Sequence, residues 1–305
     1  MKPVSNWLGR LSLLVLGLAA STLEAQQDFS NVQIKTHTLA EGLYYLEGSG
    51  GNIGVSVGDD GVFLIDDQYA PLSEKIIAAI RALSDKPIRF VFNTHHHGDH
   101  TGGNQNMGKV GAIIVSHANV RTRLAAGFTG NDLTKALTAE QSLGLPMVTF
   151  ENAVDFHLNG HEIHAMHVPP AHTDGDAFVF FRDLNIVHTG DVFRTTSYPR
   201  ADATANGSVL GIMSAYQVLL DNSNDQTRFL PGHGVVSSRA DVQAQLAMFT
   251  TIRDRVAAGL KAGKTLEQVQ ADKPTAEFDA AWSGGNATAG SDLVAVFYNE
   301  LKAQQ

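Results

Sequence analysis

The sequence predicts an α/β fold in which central β-sheets carry helices on their outer faces. Turn-bounded segments rich in Val, Ile and Phe fill the first hundred residues, and a second group begins near residue 147, so each half opens with sheet. Stretches of helical apolar spacing lie between and after these groups, which makes two sheets with helices outside them the simplest arrangement. In order, strands are expected at Gly42 to Glu47, Ile53 to Val57, Val62 to Ile65 and Ile88 to Phe92, with an amphipathic helix from Ser73 to Leu83. Ile113 to Val115 reads as a strand leading into a helix from His117 to Ala126. Four more strands are expected around Val148, around Phe156, over Ile163 to Val168 and over Phe178 to Val187. Helices follow at Val209 to Leu220, Ala240 to Leu260 and Leu293 to Leu301, with a short strand at Arg228 to Leu230 before Pro231.

The 305 residues are 43% hydrophobic, enough to build a core around a buried site, and residues 26–305 are expected to form one domain with a helical tail from about residue 261. A net charge of −9 and the lack of any basic run exclude an electrostatically driven nucleic-acid partner and leave a small-molecule substrate. Lys2 and Arg10 precede an apolar run, Leu11 to Ala20, that has the form of a secretory signal and is too short to span a bilayer comfortably. Cleavage is expected after Ser21 or after Ala25, giving a periplasmic or secreted protein with no stable membrane insertion. The chain has no cysteine, so any metal ligand is His, Asp, Glu or water.

Chemistry concentrates in Thr94-His95-His96-His97-Gly98-Asp99-His100, directly after a predicted buried strand. Loops at strand ends carry function on a rigid scaffold, and His95, His97, Asp99 and His100 give a ligand density that suits zinc. His172 in Pro170-Ala171-His172-Thr173-Asp174-Gly175-Asp176, Asp191 in Thr189-Gly190-Asp191 and His233 in Pro231-Gly232-His233-Gly234 also follow apolar strands. The glycine-rich tip Gly48 to Gly54 precedes no helix with a phosphate-cradling pattern, which argues against a nucleotide site.

Taken together and in this order, the His-x-His-x-Asp-His run, the His-Thr-x-Gly-Asp segment, the Thr-Gly-Asp strand end and the Pro-Gly-His-Gly turn resemble the metallo-β-lactamase superfamily over about residues 35 to 260. The resemblance implies a four-layer αβ/βα sandwich of two mixed β-sheets with the active site at one edge. It also implies two zinc ions, the first on His95, His97 and His172, the second on Asp99, His100 and His233, with Asp191 bridging them. Zinc-bound water ionises near neutral pH and would attack the scissile carbonyl, with Asp99 as the catalytic residue that orients the nucleophile and returns a proton. As a hard oxygen ligand, Asp191 is compatible with iron or manganese as well.

Around this set, Arg194 and Tyr198, just after Asp191, and Asn52 in the glycine-rich tip are candidate substrate contacts, although a solvated-loop role competes for each. His188 is read as support for Asp191, His117 as a helix-start residue, His96 as pointing away from the site, and His157, His161, His164 and His167 as hairpin residues without a ligand role. Without cysteine the chain departs from β-lactamases that use one on the second zinc, and the bridging aspartate looks more like the glyoxalase II branch. Export favours an extracytoplasmic substrate, so β-lactamase activity ranks first and an exported lactone, ester or thioester hydrolase second. A diiron redox protein is the alternative of another class, and no flavin-binding segment follows residue 260 to support it.

Overall fold

Thirteen strands in two sheets organise the computed structural model, which describes residues 28–132 and 135–305; the expected signal segment and its cleavage positions lie outside the described residues. The first sheet comprises β1 (Lys35–Ala40), β2 (Leu43–Glu47), β3 (Ile53–Gly58), β4 (Gly61–Ile65), β5 (Ile88–Asn93), β6 (Ile113–His117) and β7 (Val148–Phe150), in that spatial order. Its first four strands are antiparallel, and β4 through β7 run parallel. The second sheet holds β8 (Ala153–Leu158), β9 (His161–His167), β10 (Ala177–Phe181), β11 (Ile186–His188), β12 (Arg228–Leu230) and β13 (Ser237–Ser238), mixed through one parallel pair, β11 with β12. The helices are α1 (Ser73–Leu83), α2 (Gly98–Thr101), α3 (Asn104–Lys109), α4 (Ala118–Thr129), α5 (Ala139–Leu143), α6 (Val209–Asp221), α7 (Arg239–Lys261), α8 (Leu266–Ala271), α9 (Ala276–Trp282) and α10 (Ala289–Ala303). Residues 32–305 form one compact unit.

Side-chain alternation explains how the layers assemble. Every residue of β10 is buried, because successive side chains of a strand point to opposite faces and both faces are covered. Ala177, Val179 and Phe181 face the first sheet, where they meet Phe63, Ile65, Phe92 and Val115. Phe178 and Phe180 face the helices and pack with Ile212, Tyr216, Phe249 and Phe297. In the first sheet Ile65, Phe92 and Val115 lie in register towards the second sheet, while Leu64, Val91 and Ile114 are buried on the opposite face. The result is the two-sheet sandwich with outer helices that the sequence predicts.

Three details differ from expectation. Lys35–Ala40 forms a strand that the sequence pattern did not mark, since only Leu39 among its residues is fully buried. The apolar segment Phe178 to Val187 is not one strand but two, split by a turn in which Asn185 adopts φ 55°. Ser237–Ser238 pairs with β12 through the backbone, without an apolar signature.

Parallel pairing sends the carboxyl ends of β4 and β5 towards the same edge, and β11 and β12 end side by side. The carboxy-terminal helix α10 is tied to this edge by a charged cap. The carboxylate of Glu300 accepts hydrogen bonds from the N–H groups of Val209 and Leu210 and from Ser208 Oγ, satisfying the open amino end of α6. Ser208 N–H in turn donates to the carbonyl of Ala171, next to His172. Replacement Glu300→Ala is expected to cost about 1–3 kcal/mol and to lower the Tm by a few degrees in a thermal unfolding experiment; an unchanged Tm would show that the cap carries no stability.

Candidate metal centre

All seven predicted ligands meet at the shared edge of the two sheets. β5 ends at Asn93 and delivers His95 and His97, α2 carries Asp99 and His100, the β9–β10 connection carries His172, the turn after β11 carries Asp191, and the turn after β12 carries His233. His97 Nδ1 lies 3.2 Å from His95 Nε2 and 3.0 Å from His172 Nε2. Four-coordinate zinc with bonds of about 2.0–2.1 Å separates its ligand atoms by roughly 3.3 Å, close to this spacing. In the second group Asp99 Oδ2 lies 3.0 Å from His233 Nε2 and 3.7 Å from His100 Nε2. The Asp191 carboxylate sits between the groups, with Oδ1 3.2 Å from His100 Nε2 and Oδ2 3.4 Å from His233 Nε2 and 3.8 Å from His172 Nε2.

Hydrogen bonds on the far side of each ring decide which nitrogen faces the centre. His172 Nδ1 is 2.6 Å from the Arg200 carbonyl, which only accepts, so Nδ1 carries the proton and Nε2 presents a lone pair. By the same reasoning His97 Nε2 donates to Asp202 Oδ2 at 2.9 Å, and His100 Nδ1 donates to Asp66 Oδ2 at 2.7 Å. Thr94 Oγ gives its proton to Asp66 and accepts one from His95 Nδ1. The lone pairs of His95, His97 and His172 thus converge at about 3 Å with no proton between them, an arrangement that a shared cation stabilises. The buried atoms His100 Nε2 and Asp191 Oδ1 have no hydrogen-bond partner of proper geometry, which marks the same place. The residues therefore fit metal ions.

Electrostatics agree with the geometry. Burial holds the His95 imidazole well below its ordinary pKa and lowers that of His172 to about 4, so both imidazoles are neutral, as metal ligation requires. For Asp99 burial works against ionisation, but the bond from His233 and the charge of His100 outweigh it and bring the carboxyl to about 2. Burial also opposes a charge on His100, yet Asp191 and Asp66 beside it raise its pKa well above the usual histidine value. The pull that holds a proton there is equally a pull on a metal cation.

The site depends on residues the sequence reading did not single out. Asp66, just past β4, accepts from His100 Nδ1 and from both the N–H and hydroxyl of Thr94. Asp66 adopts φ 65°, a left-handed strain of about 1–2 kcal/mol that these contacts offset, and Gln68, at φ 55°, donates its side-chain amide to the Gly51 carbonyl. Two adjacent carboxylates directly after a wholly buried strand were the available signal. Asp202, which holds His97, had none beyond its place in a loop. Two glycines allow close approach: a Cβ on Gly51 would collide with the His100 ring, and one on Gly232 with the Asp191 carboxylate. The glycine-rich tip thus covers a ligand rather than cradling phosphate.

Among the expected substrate contacts, only Arg194 lies in the cleft, a cavity of about 470 Å³ shared with Asp99, Asp191, Arg200, Asp202 and His233. Its Nη1 is 4.0 Å from Asp191 Oδ2. Asn52 is buried and spends its side-chain amide on the carbonyls of Pro231 and Gly234, so it positions the turn bearing His233 instead of touching substrate. Tyr198 is also buried, and its hydroxyl donates to Asp279 at 2.9 Å, which makes it part of the scaffold. His188 does not reach Asp191; it bonds the Asn52 carbonyl and the Gly190 N–H, locking the glycine-rich tip to the end of β11. His117 caps α4 and stacks on His167 at 3.8 Å, while His161 and His164 pair with Asp183 and Asp155 on the β8–β9 hairpin side. His96 stands partly buried beside His97, outside the convergent set.

Residues 46–233 match the family described as "Metallo-beta-lactamase superfamily". The chain belongs to that superfamily. Among solved structures, a metallo-beta-lactamase from Pontibacter korlensis is similar at 18% identity and a TM-score of 0.60, covering 72% of this chain and 99% of its own. The DIM-1 metallo-beta-lactamase is similar at 16% identity and a TM-score of 0.60, with the same coverage. The inverting sec-alkylsulfatase Pisa1 from Pseudomonas sp. is similar at 16% identity and a TM-score of 0.65, covering 88% of this chain and 50% of the sulfatase. At such identities the likeness is one of fold, and this superfamily member is a hydrolase by family with a His/Asp cluster suited to metal.

The reassignment of two residues can be checked directly. Tyr198→Phe is expected to cost about 1 kcal/mol in stability and to leave metal content unchanged, whereas Asn52→Ala is expected to weaken metal binding by freeing the His233 turn. Equilibrium unfolding and metal analysis of the two proteins distinguish these outcomes; loss of metal in Tyr198→Phe would restore it to the site.

Proposed function

We propose that this chain is an exported two-zinc hydrolase that opens cyclic amides, with β-lactams as the first substrate class. The observation that carries the proposal is Asp191, whose carboxylate oxygens lie within 3.8 Å of nitrogen donors from both ligand groups. His95, His97 and His172 would hold one ion, Asp99, His100 and His233 the other, and Asp191 both. When bound, the ions would supply Lewis acidity and a nucleophile generated from water at neutral pH.

The protein's own residues define the rest. Asp99 lines the cleft with an ionised carboxylate, placed to take the proton released from water and pass it to the leaving nitrogen. Arg194, whose guanidinium lies 4.0 Å from Asp191, lines the same cleft together with Arg200, and the pair would orient a substrate carboxylate beside the metals. Asp66 and Asp202 keep His100 and His97 in the tautomer and orientation that ligation requires.

A second reading, hydrolysis of lactones, esters or thioesters, is favoured by Asp191 itself, since a bridging aspartate resembles the glyoxalase II branch. The experiment is hydrolysis of a chromogenic cephalosporin and a penicillin by the zinc-loaded protein, with chelator and Asp99→Ala as controls. Chelator-sensitive turnover that Asp99→Ala lowers by about 10²–10⁴-fold is expected. Turnover of lactones or thioesters alone would select the second reading, and a two-zinc protein inert towards all of these would refute both. Asp66→Asn is expected to reduce affinity for one zinc by about 10–100-fold in a chelator competition, and unaltered affinity would remove Asp66 from its positioning role.

A further inference from the structure

Of the buried residues of α7, Gln245 is the one with a polar side chain. It shares a helix face with Val242, Met248 and Phe249, which belong to the apolar cluster between the second sheet and the helices. An amide in such a place costs stability unless its polar atoms are bonded, and both are. Oε1 lies 2.8 Å from the hydroxyl of Tyr216 on α6, and Nε2 lies 2.9 Å from the carbonyl of Arg194. Since a carbonyl only accepts, the amide turns its NH₂ group to Arg194 and its oxygen to Tyr216, whose phenol burial keeps protonated. A directed chain of hydrogen bonds thus runs from α6 through α7 to the backbone beside the metal centre.

The segment at the end of that chain serves the site twice. Arg194 Nη1 is 4.0 Å from Asp191 Oδ2, yet little else fixes the guanidinium: Nη2 donates to Thr196 Oγ1 at 3.3 Å, and the buried Nε has no partner. Its place in the cleft is therefore set largely by its backbone. Thr195 follows at once. Its N–H donates to the His233 carbonyl and its Oγ1 accepts from the Val235 N–H, each at 3.0 Å, and a Cβ on Gly234 would collide with that oxygen. We infer that Gln245, which lies beyond residue 233 where the match to the superfamily ends, is a positioning residue for the site. Through the Arg194 carbonyl it fixes where Arg194 meets the carboxylate of a substrate and how the turn bearing His233 is held. The part played by Arg194 rests on the hydrolytic reading above; the hold on the His233 turn does not. A buried polar pair such as Tyr216 and Gln245 can be exchanged for apolar groups at little cost, so stability alone does not call for it.

The test uses the zinc-loaded full chain with Gln245→Met, close in volume but with no hydrogen bond to give, and with Tyr216→Phe/Gln245→Met, which also removes the hydroxyl left unpaired. Hydrogen exchange is followed residue by residue by NMR, and kcat and KM are measured for benzylpenicillin and for its methyl ester, which offers Arg194 no charge. Both variants are expected to exchange the Thr195 and Val235 amides about tenfold faster, with the amides of α4 unchanged. KM for benzylpenicillin is expected to rise by about 3–10-fold while kcat, and KM for the methyl ester, stay within about twofold. The double variant is expected to unfold within a few degrees of the wild type, so that these effects are read on a folded protein. If neither compound is cleaved, the β-lactam reading has failed and exchange alone decides the role of Gln245: local acceleration at Thr195 and Val235 supports it. Unaltered exchange at these two amides, or acceleration spread evenly over the chain with equal losses on both compounds, overturns it.

Discussion

One buried carboxylate sets the terms for the rest of the molecule. Asp191 is removed from water, and its Oδ1 has no hydrogen-bond partner to repay that desolvation. An ionised carboxylate in such a place costs several kcal/mol unless opposite charge compensates it, which in the metal-free protein falls to His100, while His95, His97 and His172 turn lone pairs rather than protons towards the same space. Metal cations resolve both difficulties together. The fold can be understood as the apparatus that brings a carboxylate and six further donor side chains to one edge, and holds them there.

That apparatus is mostly backbone. His95 and His97 follow β5, Asp191 follows β11 and His233 follows β12, while α2 carries Asp99 and His100 and the β9–β10 connection carries His172. The donors are then aimed by a ring of acceptors: Asp66 for His100, Asp202 for His97, the Arg200 carbonyl for His172 and Thr94 for His95. Asp66 joins two of these, since it binds His100 directly and orients the Thr94 hydroxyl that receives the His95 proton. Rigid aim of this kind matters because a ligand ring turned by a few tens of degrees no longer points its lone pair at the ion.

Much of this was legible in the sequence. The buried strands announced themselves through Val, Ile and Phe runs, and the ligands through histidines and aspartates placed directly after those runs. The residues that aim the ligands were much harder to see, because a supporting aspartate such as Asp202 has no sequence partner near it; its role exists only once the chain brings it 2.9 Å from His97, a hundred residues away. Asn52 and Tyr198 were misplaced for a related reason. For Tyr198 its place just after Asp191, and for Asn52 the resemblance of the glycine-rich tip to substrate-flanking loops, suggested the cleft mouth, but both side chains turn inward and spend their polar atoms on the scaffold. Strand β1 and the Ser237–Ser238 ladder were invisible because backbone pairing, not apolar alternation, defines them.

The carboxy-terminal helix α10 extends the same rigid support, since it is anchored by Glu300 to α6 and through Ser208 to the residue beside His172. All of this depends on Asp191 serving both donor groups. The most direct measurement is X-ray diffraction from crystals of the zinc-loaded protein at the zinc absorption edge. Two anomalous peaks are expected, one among His95, His97 and His172 and one among Asp99, His100 and His233, each within bonding distance of an Asp191 oxygen. A single peak, or two peaks with Asp191 bound to neither, would contradict the account.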